Sequence, residues 1–172
     1  TIQITTVATG ADAIVDADFT NVTNFEVLTL ANGANSVTLG GTAAAATQSL
    51  TVNGGTGDDA INIAALGEAS TILSGAGNDT ITGSTSAQAD SIDAGADNDV
   101  IRFTTTANMV AASIDGGTGT DTLQLTTDAQ TLVDGNFSRI VGNSIEVLTL
   151  ANGANSVTLG GTAAAATQSL TV

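Results

Sequence analysis

GGTGDDAIN at 54–62, SGAGNDTIT at 74–82, AGADNDVIR at 94–102 and GGTGTDTLQ at 116–124 are four versions of one nonapeptide. Each opens on glycine or another small residue, has an aspartate at its sixth position (Asp59, Asp79, Asp99 and Asp121) and an aliphatic residue at its eighth. The aspartates are 20, 20 and 22 residues apart, a period that suits one coil of a stacked repeat with the same corner presented each time. Glycine at the first, second and fourth positions admits backbone angles closed to other residues and frees carbonyls to point out of the turn.

The residues flanking the turns say what is stacked. Val52, Ile72, Ile92 and Ile114 precede them, and Ile61, Ile81, Ile101 and Leu123 follow. In register, each set forms an aliphatic ladder at about 4.8 Å per step, filling a narrow core between two parallel sheets. Hydrophobic residues make up 42% and aromatics only 2%, so such a core is built of thin Val, Ile, Leu and Ala layers. The expected fold class is all-β, a parallel β-solenoid with glycine/aspartate turns along one edge. The opposite edges, ALGEAS at 65–70, GSTSAQAD at 83–90 and TTTANMVAAS at 104–113, vary in length and share no motif.

Further out, a longer repeat encloses the short one. Residues 26–52 recur unchanged at 146–172, an offset of 120, and upstream TIQITT at Thr1 corresponds to TLQLTT at Thr122, IVDADF at Ile14 to LVDGNF at Leu132. The chain is expected to hold one complete unit over 1–121 and the first part of the next over 122–172, as a single continuous solenoid and a window on a tandem array. A unit of five coils would advance about 24 Å. By this alignment Asn35 and Asn155 stand where Asp121 stands, as corners that keep the coil but lose the carboxylate. The GGTAAAATQ segments at 40–48 and 160–168 are expected as a loose opposite edge, and the excursions at 7–24 and 127–143 to pack Phe19 and Phe137 against the solenoid, with a short helix there. Asp12 is expected as a loop or cap residue, and Glu26 and Glu146 as outward-facing residues of their strands.

Charge and missing residue types exclude several functions. Seventeen acidic residues against Arg102 and Arg139 give a net charge of −15, which repels nucleic acid and anionic membranes and makes compaction easier with bound cations. No histidine, cysteine, lysine, tyrosine or tryptophan is present, so Ser–His and Cys–His nucleophiles, Schiff-base lysines and His-ligated zinc are unavailable. The carboxylates repeat as a ladder and do not face one another across a groove, as a glycosidase pair does. No enzyme is expected, and no transmembrane run is seen.

A hard cation is the chemistry these turns suit. Calcium takes about six to eight oxygens from carboxylates and carbonyls. Stacked turns offer two layers of carbonyls and two aspartates at each interface, 59/79, 79/99 and 99/121. Aspartates about 5 Å apart repel by about 1–3 kcal/mol per neighbouring pair at an intermediate dielectric, which favours occupancy.

The four turns resemble the nonapeptide repeats G-G-x-G-x-D-x-U-x of the RTX, or haemolysin-type, calcium-binding proteins. That resemblance implies a right-handed parallel β-roll, Ca2+ held between successive turns, type I secretion and folding coupled to calcium outside the cell. By position it makes Asp59, Asp79, Asp99 and Asp121 the side-chain ligands. The accompanying carbonyls are those of Gly54, Gly55, Thr56 and Gly57; of Ser74, Gly75, Ala76 and Gly77; of Ala94, Gly95, Ala96 and Asp97; and of Gly116, Gly117, Thr118 and Gly119. The chain departs from the family in having one nonapeptide per coil, and Asp97 stands in place of the fourth glycine. The long unit is also similar to segments of large repetitive bacterial surface, S-layer-like and adhesin proteins. The functional expectation is a calcium-stabilised extracellular structural module of a surface layer, fibre or adhesin, partnered by calcium and by neighbouring repeats or further copies. The alternative is a secretion and folding module appended to a type I secreted enzyme or toxin.

Overall fold

In the computed structural model, which describes residues 1–7, 13–47, 49–142, 144–166 and 171, the chain alternates between two parallel sheets. The first sheet orders β1 (Ile2–Gln3), β3 (Val27–Thr29), β5 (Leu50–Thr56), β7 (Ser70–Ala76), β9 (Ser91–Asp93) and β11 (Ser113–Asp115) side by side. The second orders β2 (Ile14–Val15), β4 (Ser36–Thr38), β6 (Ala60–Asn62), β8 (Thr80–Thr82), β10 (Val100–Phe103), β12 (Thr122–Leu125) and β14 (Val147–Thr149). Each return to a sheet adds the next parallel strand, so the protein is mostly β with parallel sheets, compatible with a solenoid. Among the described residues no helix is long and apolar enough to cross a membrane.

Register follows the aliphatic pattern. Val52 pairs with Ile72, Ile72 with Ile92 and Ile92 with Ile114; Ile61 pairs with Ile81, Ile81 with Ile101 and Ile101 with Leu123. All eight are essentially inaccessible. Each such side chain contributes about 1.5–3 kcal/mol by leaving water, so a slip of one residue, which turns a whole row outward, is strongly disfavoured.

The second glycine of each turn is fixed by two separate demands. Gly75, Gly95 and Gly117 have φ of +110°, +102° and +89°, and a Cβ on each would collide with the carbonyl oxygen of the matching glycine one coil earlier. Position four shows the same backbone, and Asp97 adopts it at φ +81° despite its side chain.

The edge expected to be loose contains helices. GTAAAA forms α1 (Gly41–Ala46), TANMVA forms α2 (Thr106–Ala111), and the second GTAAAA forms α3 (Gly161–Ala166). Alanine propensity alone does not start so short a helix; for α1 the missing cap comes from another coil. Asp16, in a 3-10 helix over Asp16–Phe19, accepts the N–H groups of Gly40, Thr42 and Ala43 at 2.8–3.0 Å, and Asp134 does the same for Thr162 and Ala163 of α3. The excursions pack as expected: Phe19 and Phe137 are buried, and Phe19 stacks on Phe25 at 5.1 Å. Asp12 lies outside the described residues.

The two long copies occupy different places, which corrects the five-coil unit. β1 and β3 belong to the first sheet, but their counterparts β12 and β14 belong to the second. β2 and β4 pair in the second sheet, whereas their counterparts β13 (Thr131–Val133) and β15 (Ser156–Thr158) form a third. The first sheet is continued by Ile140, which bridges to Ile114. An acidic turn always carries the chain from the first sheet to the second, so the strand after Asp121 enters the second sheet. One unit therefore takes five steps along the first sheet and then one further change of sheet.

Replacing Gly75 with alanine is expected to lower stability by about 2–5 kcal/mol, from the left-handed backbone and the collision together. Gly67→Ala, where a Cβ meets nothing within 4 Å, is expected to change it by less than about 0.5 kcal/mol. Urea unfolding of the two variants checks the contrast.

Candidate functional site

The corner between the first and second sheets carries the four aspartates, each 0–2% exposed. Their Oδ1 atoms form a chain of hydrogen bonds along the stack. Asn35 N–H donates to Asp59 Oδ1 at 2.7 Å, Asp59 N–H to Asp79 Oδ1 at 2.7 Å, Asp79 N–H to Asp99 Oδ1 at 2.7 Å and Asp99 N–H to Asp121 Oδ1 at 2.8 Å. Each carboxylate thus caps a backbone donor of the neighbouring coil. The other oxygen of each is different: Oδ2 of Asp59, Asp79, Asp99 and Asp121 is buried and has no hydrogen-bond partner among the described residues. Four such atoms in one row are an unusual burden, since an unsatisfied buried charged group costs more than a neutral one.

Titration reflects that burden. Burial pushes the Asp59 carboxyl up to about 6 against the bonds from Asn35, with the neighbouring Asp79 and Asp58 charges adding to the rise. Burial, then Asp79, Asp121 and Asp97, push Asp99 up to about 7 despite the Asp79 N–H. Asp121 reaches about 6 through burial and the charges of Glu146 and Asp115, and Asp79 is raised by burial as well.

Asn35 shows what the corner looks like when satisfied. Its Nδ2 donates to the carbonyls of Ala31 and Gly33 at 2.8 and 2.6 Å and to Asp59 Oδ1 at 2.8 Å. An amide donor thus gathers two turn carbonyls and a carboxylate. In the acidic turns the carbonyls at the same offsets belong to Gly55 and Gly57, Gly75 and Gly77, Gly95 and Asp97, and Gly117 and Gly119. A carboxylate oxygen has no hydrogen to offer them.

All twenty residues expected at the site come together on this corner, the glycine segments stacked one on the next. Several of the carbonyls already take part in the stack: Gly75 and Gly95 accept from Ala96 and Thr118, and Thr56, Ala76 and Ala96 accept from Gly33, Gly57 and Gly77. Ala94 accepts the Ser74 hydroxyl at 2.7 Å. Each retains a second lone pair. Among the described residues no three or more Asp, Glu, His or Cys side chains converge as a metal cluster. A cation here would sit between two carboxylates and draw its remaining oxygens from the backbone.

Asn155 keeps an amide corner as expected, its Nδ2 donating to the carbonyls of Ala151 and Gly153 at 2.8 and 3.3 Å, but on the corner between the second and third sheets, where its Oδ1 accepts Gln130 N–H at 3.0 Å. One expectation changes. Glu146 does not point away; its Oε2 accepts Asp121 N–H at 2.8 Å and closes the ladder. Sequence reading also missed the fifth motif position, where Asp58, Asn78 and Asn98 accept the N–H groups of Asn78, Asn98 and Thr120. This exposed ladder runs in the opposite sense to the buried one. The recurrence of polar residues just before the aspartates was the available signal. Asp90, on the irregular edge, is spent on Ser70 N–H and Oγ–H. No family model, curated protein or solved structure matches the chain.

In metal-free protein the raised carboxyls make the folded state bind more protons than the unfolded state, whose aspartates titrate near 3.8. The ladder's contribution to stability is therefore expected to fall as pH rises from about 4 to about 7. Melting in the presence of chelator at several pH values checks the sign; a rise over that window refutes it.

Proposed function

We propose that this chain is a calcium-stabilised structural module, a parallel β-solenoid whose coils are clamped by divalent cations at the aspartate corner. The observation that carries this reading is the row of four buried Oδ2 atoms without partners, on a corner where Asn35, the one amide in line with them, is fully engaged. A proton or a cation relieves such a row, and at neutral pH outside the cell a cation at millimolar concentration is the available remedy. The net charge of −15 makes the same demand on the whole chain.

The module is suited to an extracellular setting, as a repeated element of a bacterial surface layer, fibre or adhesin, with calcium and neighbouring copies of the unit as partners. Direct duplication of 27 residues and parallel sheets that grow by one strand per coil support extension along one axis. In this role the acidic corner fastens coils and performs no catalysis.

Far-UV circular dichroism at pH 7.5 during calcium addition and chelation tests the reading: strand signal is expected with calcium and a substantial loss without it, and identical spectra in both states overturn it. Asp79→Asn sharpens the test. It keeps an acceptor for Asp59 N–H and adds the donor that Asn35 uses, so the chelated variant is expected to melt above the chelated parent. The same change removes a ligand from two interfaces and is expected to reduce the calcium-induced rise in melting temperature.

A further inference from the structure

The glycine motif ends at Asp121, but the stacked corner does not. The next coil passes through residues 138–142 and 144–146, which lack the motif. Ser144 and Glu146 nevertheless reproduce the local geometry of an acidic turn. Where Asp59 N–H donates to Asp79 Oδ1 at 2.7 Å, Asp121 N–H donates to Glu146 Oε2 at 2.8 Å. A Cβ placed on Gly54 would collide with the Ser74 carbonyl oxygen and lie 2.6 Å from Asp59 Oδ2; one placed on Gly116 would collide with the Ser144 carbonyl oxygen and lie 2.9 Å from Asp121 Oδ2. In both places, a turn carbonyl and an unpartnered carboxylate oxygen crowd the same glycine. Asp121 is 0% exposed and Ser144 4%, and the Ser144 hydroxyl accepts Gly116 N–H at 2.9 Å while donating to the Val141 carbonyl at 2.9 Å.

We infer that Asp121 and Glu146 form a fourth divalent-cation position, at the seam between the two long copies, with the Ser144 carbonyl facing it. This rests on the calcium reading above and adds one position to the three aspartate–aspartate interfaces. The opposite end of the ladder gains none, because the Asn35 amide already holds the carbonyls of Ala31 and Gly33 there. The seam position exists only because the second copy enters one sheet later than the first. Glu26, in the same sequence context as Glu146, is exposed and precedes a strand of the first sheet, off the aspartate corner.

That pairing of identical contexts supplies the test. Calcium chloride is titrated calorimetrically at pH 7.5 into chelator-stripped whole chain, as parent, Glu146→Gln, Glu26→Gln and Asp79→Asn. Glu146→Gln keeps an acceptor for Asp121 N–H and is expected to take up one ion fewer per chain than the parent, while Glu26→Gln matches the parent. Equal uptake by Glu146→Gln and the parent, with fewer ions in Asp79→Asn, overturns the seam position and leaves the proposed function standing. No uptake by the parent overturns both. A measurement on the unaltered protein guards against misfolding of the variant: substoichiometric Mn2+ is expected to broaden the amide resonances of Asp121 and Glu146, and sharp resonances at saturating Mn2+ overturn the inference.

Discussion

A backbone N–H on one coil and a carboxylate oxygen on the next hold the acidic corner in register. The bond from Asp59 N–H to Asp79 Oδ1 and its repeats along the stack join residues 20–22 positions apart, at 2.7–2.8 Å, with almost no exposure. Beside it, glycine backbones approach so closely that a Cβ on Gly75, Gly95 or Gly117 has no room. The two features depend on each other. Close approach brings the aspartate within reach of its neighbour's N–H, and that bond satisfies a donor which the tight turn leaves without a strand partner. The ladders of Val52, Ile72, Ile92 and Ile114 on one side and Ile61, Ile81, Ile101 and Leu123 on the other then fall into place as a consequence of equal coil heights.

That bond uses only one oxygen of each carboxylate, and the cost lies in the other. An asparagine at the same position meets every requirement of the turn: Asn35 donates its N–H to the ladder and closes on Ala31 and Gly33 through its amide. Four coils carry aspartate instead, accepting buried Oδ2 atoms without partners and carboxyls that burial raises, those of Asp59 and Asp121 to about 6 and that of Asp99 to about 7. Against a neutral alternative available in the same chain, this choice weakens the metal-free fold. On the calcium reading proposed above, it is an exchange of unconditional stability for stability that depends on a bound cation.

Much of this was legible in the sequence because the motif and its 20–22-residue period are local facts. The aliphatic register, the parallel sheets and the clustering of the twenty turn residues follow from spacing alone. What was not legible depends on contacts between coils. The alanine segments read as loose edges because no cap lies next to them; Asp16 and Asp134, more than twenty residues upstream, supply it from the preceding coil. The exposed ladder of Asp58, Asn78 and Asn98 was hidden because Asp and Asn are ordinary turn residues on their own, and only stacking turns them into acceptors for the coil above.

The long duplication misled in an instructive way. Identical residues suggest identical surroundings, yet Asn35 caps the aspartate ladder while Asn155 pairs with Gln130 on another corner, and Glu26 is exposed while Glu146 bonds Asp121. In a coiled chain, environment is set by the phase at which a segment enters the coil as much as by its own residues. The unit of 120 residues does not close on a whole number of coils, so a perfect copy arrives on the next sheet. The Asn155 corner therefore meets the coil of Gln130, and Asp121 N–H is met by the carboxylate of Glu146.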